Sequence, residues 1–297
     1  MFVAVCVAVA VDASVAVAVD ASKGSGLPAW KAILLGAVEG LTEYLPVSST
    51  GHLLVTGRLL GLGDGSDGTA LGTYVIAIQI GAIGAVLGLY RQRVGQIAGG
   101  LLGHNDPGRR LFIALAVAFI PAALLGVAFK PVIKEHLFSP WPIVAAWALG
   151  GVVLLIWQPS DRGGTVDIVD VTTLQALIIG VAQAAALWPG TSRSLVTLIA
   201  GLVVGLSLTA AVEFSFLLGL ATLTAATAWD LARNGAGLLD MYGWATPLLG
   251  AIVAFLTAVA SIRWMTSYLQ EHPLRAFGWY RLCIVASTAA LVLAGAI

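Results

Sequence analysis

Residues 32–60 read AILLGAVEGLTEYLPVSSTGHLLVTGRLL. The stretch is apolar enough for a membrane interior, yet it holds Glu39, Glu43, Pro46, Ser48, Ser49 and His52. Pro46 lacks an N–H and its ring blocks a helical turn, so a helix entering the stretch ends there. Neither half is then long enough to cross a bilayer core, which takes roughly 20 residues. Broken backbone at membrane depth is tolerated only where it is buried in protein or lines a cavity. The stretch therefore reads as a re-entrant helix–loop–helix.

Leu174–Leu206 has the same character, broken at Pro189-Gly190 and carrying Gln183, Ser192, Arg193 and Ser194. The two stretches resemble each other. Ala32-Ile-Leu-Leu-Gly36-Ala-Val-Glu39 aligns with Ala176-Leu-Ile-Ile-Gly180-Val-Ala-Gln183, and Pro46-Val-Ser-Ser49 aligns with Pro189-Gly-Thr-Ser192 after a one-residue gap. Three apolar runs follow each: Leu71–Tyr90, Leu111–Phe129 and Pro142–Trp157, then Ala210–Trp229, Thr246–Met265 and Trp279–Ala296. Aromatic residues mark their ends, as at membrane interfaces. The fold class is thus an all-α polytopic membrane protein with six transmembrane helices, two re-entrant helix–loop–helix segments and an inverted-topology repeat. Its halves are about 27–160 and 161–297, in a single membrane domain. Matching interrupted segments in two halves point to a site near the midplane.

Composition agrees. Of 297 residues, 59% are apolar and 10% charged, too few charges for the water-facing surface of an ordinary soluble enzyme. Fifteen Lys and Arg balance fifteen Asp and Glu, and no charged tail points to nucleic acid. Arg91, Arg93, Arg109 and Arg110 fall in one loop, which places that loop in the cytoplasm and both termini outside. Phe2 to Val19 mostly alternates Val and Ala, and no Lys or Arg precedes Lys23, unlike the basic start of a signal peptide. Residues 1–26 read as a disordered extension or a mis-called start.

The chemistry-bearing residues cluster at the two breaks. Glu39 and Glu43, four apart, share one helix face. An ionisable group deep in a membrane costs about 2.5–3.5 kcal/mol, so a carboxylate pair there implies a use, either holding a divalent cation or moving a proton. Oxygen ligands suit Mg²⁺ or Ca²⁺. Past Pro46, Ser48 or Ser49 can cap the next half-helix, whose free N–H groups make an anion site, with Thr50 adding a hydroxyl. His52 lies three residues beyond Ser49, so both can face one point. In the second stretch Thr191, Ser192, Ser194 and Thr197 supply hydroxyls. Arg193 offers a fork of donors that matches phosphate oxygens, or pairs with Glu39 or Glu43. Gln79 reads as a bond to a neighbouring helix, Glu213 as solvated or paired, and Arg281 as a helix-end anchor. Together these groups suit binding, and hydrolysis, of a phosphorylated amphiphile.

Glu39-Gly-Leu-Thr-Glu43-Tyr-Leu-Pro-Val-Ser-Ser-Thr-Gly-His52 resembles the first signature of the undecaprenyl-diphosphatases, the bacitracin-resistance phosphatases, and Pro189-Gly-Thr-Ser-Arg-Ser194 resembles their second. Weaker echoes are Ile78-Gln79-Ile80-Gly81, Phe214-Ser-Phe-Leu-Leu218 and Phe277-Gly-Trp-Tyr-Arg281. The resemblance covers about 27–297. It implies removal of the terminal phosphate from undecaprenyl diphosphate, which recycles the lipid carrier for peptidoglycan synthesis and confers bacitracin resistance. It also implies a multi-pass protein of the bacterial inner membrane with its site facing the periplasm, and roles for Glu39, Glu43, Ser49, His52, Ser192, Arg193 and Thr197. Two positions depart from the family pattern: Leu195 stands where Gly is usual, and Gly219-Leu220-Ala221 lacks a customary Pro.

Three mechanisms fit these residues. Ser49 attacks phosphorus while His52 handles the proton; or His52 attacks, oriented by Glu43; or a metal-activated water attacks. In the first, Glu39 and Glu43 hold the divalent cation. The expected partners are a polyprenyl diphosphate lipid, membrane lipid and a second copy of the chain. The rival function is a polyprenyl-phosphate transporter or flippase, since inverted repeats with broken helices also build transporters.

Overall fold

The computed structural model describes residues 27–62, 70–157 and 164–297, so the reading of residues 1–26 lies outside the described residues. Eleven α-helices run through them. A short pair, α1 (Ala29–Thr42) and α2 (Ser49–Leu59), opens the first half. α3 (Ala70–Leu89), α4 (Arg91–Leu101), α5 (Asp106–Leu137) and α6 (Pro140–Ile156) complete it. The second half opens on the pair α7 (Thr173–Gln183) and α8 (Arg193–Val203). It continues with α9 (Leu208–Tyr242), α10 (Ala245–Glu271) and α11 (Arg275–Leu293).

The protein is an all-α polytopic membrane protein. Among the described residues, α3, α5, α9, α10 and α11 are long and apolar enough to cross a membrane. The sixth predicted span corresponds to α6, whose 17 residues reach about 26 Å, at the short end for a hydrocarbon core of about 30 Å.

Two stretches differ from the sequence reading. The predicted loop over 91–110 holds α4 and the start of α5. Arg93 folds back to pair with Glu213 at 2.9 Å, and Asn105 caps α5 by accepting from the Gly108 N–H at 2.8 Å. α9 also continues past Trp229 to Tyr242, where Asn234 Nδ2 donates to Asp230 Oδ1 at 2.9 Å, one turn away. Polar residues ended the apolar run there without ending the helix.

The repeat is written in the packing. α1 lies on α10 of the other half, and α7 lies on α5 of the first; α3 pairs with α9 and α6 with α11. Gly36 and Gly180 occupy matching places in these exchanges. A Cβ on Gly36 would strike the Gly250 carbonyl oxygen, and one on Gly180 the Ala118 carbonyl oxygen. Removing the side chain is what lets each helix press on the opposite half.

The one-residue gap in the sequence alignment is corrected. Starts at 29 and 173, ends at 59 and 203, and the left-handed Gly61 and Gly205 all keep one constant offset. Among the described residues, only two non-glycine residues have positive φ: Ser48 (73°) and Ser192 (78°). They match each other at that same offset. Ser48, not Ser49, is therefore the counterpart of Ser192. Ser49 then matches Arg193, Glu39 matches Gln183, Glu43 matches Leu187, and His52 matches Val196. The break is set by the left-handed serine rather than by the proline.

Candidate functional site

The two breaks meet in the core, and hydroxyls sew them together. Ser194 Oγ donates to the Leu45 carbonyl at 2.8 Å, Ser192 Oγ to the same oxygen at 3.5 Å, and the two hydroxyls lie 3.0 Å apart. Ser192 also caps α8, its Oγ accepting from the Leu195 N–H at 3.3 Å. Ser48 sits at the start of α2, but its side chain makes no cap bond.

Glu43 is the hub. It is buried, just past the end of α1. Its Oε1 pairs with Arg193 Nη2 at 3.0 Å, and its Oε2 accepts from the Ser49 hydroxyl. Arg193 is held further by the Ser215 carbonyl at 3.0 Å, and its guanidinium lies 5.8 Å from the centroid of the Tyr44 ring. Thr197 Oγ1 donates to the Arg193 carbonyl at 2.8 Å and lies 2.6 Å from Ser215 Oγ. Glu39, one turn before Glu43, is fully buried, and neither of its carboxylate oxygens has a hydrogen-bond partner. An unpartnered buried carboxylate is costly in its charged form.

The structure brings together Glu43, Ser49, Arg193, Ser192, Ser194 and Thr197, with Glu39 alongside. Three expectations change. His52 is buried, but its ring does not bond Ser49: Nδ1 lies 2.6 Å from the Ser48 carbonyl and Nε2 lies 2.8 Å from the Tyr280 hydroxyl. The cause is local, because on a helix a side chain three residues on also faces the carbonyl of the residue before. Thr50 is exposed at the first turn of α2. Thr191 lines a separate apolar groove of about 690 Å³, bounded by α5, α6, α7 and α8. These two threonines are not among the groups gathered at Glu43.

Arg281 is more than a helix-end anchor. It is fully buried, and its guanidinium donates to five carbonyl oxygens. Pro46 (3.1 Å) belongs to the first break, Gly190 (2.8 Å) and Thr191 (3.2 Å) to the second, and Ala146 (2.9 Å) and Trp147 (3.2 Å) to α6. An arginine has five N–H donors in a planar fork, so one side chain satisfies carbonyls from both breaks and locks them together. Sequence reasoning missed this role, and those of Tyr280 and Ser215. The available signal was an arginine inside the predicted span Trp279–Ala296.

The fold and site define a class: a polytopic membrane protein whose two interrupted helix pairs enclose a buried centre of carboxylates, hydroxyls and an arginine. The comparisons give the family. Residues 32–287 match the bacitracin resistance protein BacA family, to which the chain belongs. An undecaprenyl-diphosphatase of Sorangium cellulosum (strain So ce56) is 44% identical over 260 residues, 86% of this chain and 83% of that protein. Undecaprenyl-diphosphatase 2 of Rhodospirillum rubrum is 44% identical over 265 residues, covering 87% and 94%. Undecaprenyl-diphosphatase 1 of Paraburkholderia xenovorans (strain LB400) is 44% identical over 263 residues, covering 86% and 92%.

Proposed function

We propose that this protein is an integral-membrane phosphatase. It hydrolyses undecaprenyl diphosphate to undecaprenyl phosphate and inorganic phosphate. This recycles the lipid carrier for peptidoglycan synthesis and confers resistance to bacitracin. The observation that carries the reading is the Ser49–Glu43–Arg193 constellation, seated in a chain whose relatives are named for this activity.

In the mechanism favoured by the geometry, Arg193 binds the terminal phosphate as that group displaces it from Glu43. Glu43 accepts the proton of the Ser49 hydroxyl as Ser49 Oγ attacks the terminal phosphorus. The bond to the bridging oxygen breaks, and the polyprenyl phosphate leaves. Water then cleaves the phosphoserine. The free N–H groups at the start of α2 and α8 support negative charge on the transferring group. His52 as nucleophile is less supported, because both oxygens of Glu43 and both nitrogens of His52 are engaged elsewhere. Transport alone would have no use for the Ser49–Glu43 pair.

A divalent cation fits Glu39, whose two buried oxygens lack partners, with Glu43 one turn on. Among the described residues no cluster of three or more His, Cys, Asp or Glu surrounds it. The remaining ligands would be phosphate oxygens and water, a coordination that suits Mg²⁺ better than Ca²⁺. Such an ion would neutralise charge on the diphosphate. Ser48, Ser192, Ser194 and Thr197 shape the pocket around the phosphate. The interrupted pairs are re-entrant, and the centre opens to the outer side of the inner membrane. The cluster of Arg91, Arg109 and Arg110, all exposed, supports that orientation.

The test is phosphate release from undecaprenyl diphosphate by detergent-purified protein, with and without a chelator, beside Glu43→Ala and Arg193→Ala. Release by the wild type that both variants lose supports the phosphatase. A folded wild type that binds the lipid and releases nothing sinks it.

A further inference from the structure

His52 is held in one state by its neighbours. A neutral imidazole has one N–H and one lone pair. Nδ1 lies 2.6 Å from the Ser48 carbonyl oxygen, which can only accept, so Nδ1 carries the hydrogen. Nε2 is then bare and accepts from the Tyr280 hydroxyl at 2.8 Å. The Tyr280 ring lies parallel to the imidazole, with centroids 5.8 Å apart and planes at 8°. Trp147 meets the imidazole at 5.1 Å and 65°, and its own Nε1 donates to the Val47 carbonyl at 2.9 Å.

Tyr280 precedes Arg281 on α11. One turn of the last helix therefore fixes both the backbone of the two breaks and the ring of His52. The repeat makes the contrast sharp. Val196 stands where His52 would be in the second half, so the architecture holds without an imidazole at that position. The tyrosine–histidine bond exists in only one of two otherwise matched frames, which points to chemistry rather than folding.

We propose that Tyr280 is a positioning residue of the reaction centre. The Ser48 carbonyl sets the Nδ1–H tautomer of His52, and the Tyr280 hydroxyl, donating to the bare Nε2, holds that nitrogen and the plane of the ring in place. The inference rests on the phosphatase reading for its kinetic consequence, and on the geometry alone for the hold on the ring. Tyr280 is half-buried on α11 with its hydroxyl on the imidazole, and it acts through that ring rather than on the lipid.

The test uses the full-length, detergent-purified protein and Tyr280→Phe, which keeps the stacked ring and removes only the hydroxyl. Loss of one hydrogen bond to the imidazole lowers kcat about five- to tenfold, with KM for undecaprenyl diphosphate within about twofold. Nitrogen-15 spectra of histidine-labelled protein, with His52 assigned by its loss in His52→Gln, keep the Nδ1–H tautomer, and the Nε2 resonance moves downfield as that nitrogen loses its hydrogen bond. Wild-type kcat with an unchanged His52 spectrum overturns the proposal. A fall in kcat with an unchanged Nε2 resonance also overturns it, because the hydroxyl then acts on the lipid directly. If the wild type releases no phosphate, the phosphatase reading fails. The nitrogen spectra still decide whether Tyr280 governs His52.

Discussion

The α1–α2 and α7–α8 pairs follow one backbone path and carry different chemistry. Each starts with a helix pressed by a glycine onto the opposite half, turns at a left-handed serine, and ends thirteen residues later at a left-handed glycine. At matching positions the first pair has Glu39, Glu43, Ser49 and His52, and the second has Gln183, Leu187, Arg193 and Val196. In the proposed mechanism the first supplies a nucleophile and its base, and the second supplies the cation that grips the anion. Two copies of a frame let opposite charges approach from opposite directions, so Arg193 and Glu43 face each other across the axis instead of crowding one helix.

Breaking the comparison where it is most unequal gives the largest effect. Glu43→Ala removes the acceptor for Ser49 and leaves Arg193 without its carboxylate. Phosphate release falls about 100- to 10,000-fold, measured on protein that still elutes as a folded species. Leu187→Ala, at the matching position, leaves kcat within about a factor of three. Equal losses from the two would refute the division of labour.

Arg281→Ala strikes what the halves share. Five carbonyls from two breaks and α6 lose their donor, and each unsatisfied buried group costs about 1–3 kcal/mol. The expected result is a protein that unfolds at markedly lower temperature in detergent, by static light scattering or intrinsic fluorescence. Arg281→Lys recovers only part of the loss, because an ammonium cannot span the five acceptors.

Gly36→Ala and Gly180→Ala test whether the frame is symmetric. Each drives a methyl into a backbone carbonyl of the other half, a cost of about 1–3 kcal/mol. The two variants should lose similar thermal stability. A large loss in one alone would show that the halves are not held in the same way. The smallest effect is expected at the turns. Both substitutions relieve a positive φ, but Ser192→Gly loses a cap bond, worth about a few tenths of a kcal/mol against glycine, whereas Ser48→Gly loses none. Thermal denaturation should rank Ser48→Gly as the more stable of the pair.

Much of this was legible in the residues. Pro46 and Pro189-Gly190 announced two breaks, and the costly set of Glu39, Glu43 and Arg193 located the centre. The register between the halves was not legible. Matching prolines invited a gap, whereas the backbone pivots on Ser48 and Ser192, and serine gives no sign of its φ. The pairing of Ser49 was misplaced for a similar reason. Spacing put His52 within reach, but only packing shows that the imidazole turns to Ser48 and Tyr280. Arg281 was hidden because an anchor at a helix end and a clamp across the core look the same in one dimension. Gln79 and Glu213 met their plain readings, a hydrogen bond from Thr227 at 3.4 Å and an ion pair with Arg93.

The clamp has a consequence in time. A ribosome delivers Pro46 and Gly190 long before it delivers Arg281, which lies on α11. Until that helix inserts, the carbonyls of both turns have no donor from it. The two turns are therefore clamped late, when the helix that carries Arg281 arrives. A chain released early would carry every residue of the centre and still lack the part that closes it.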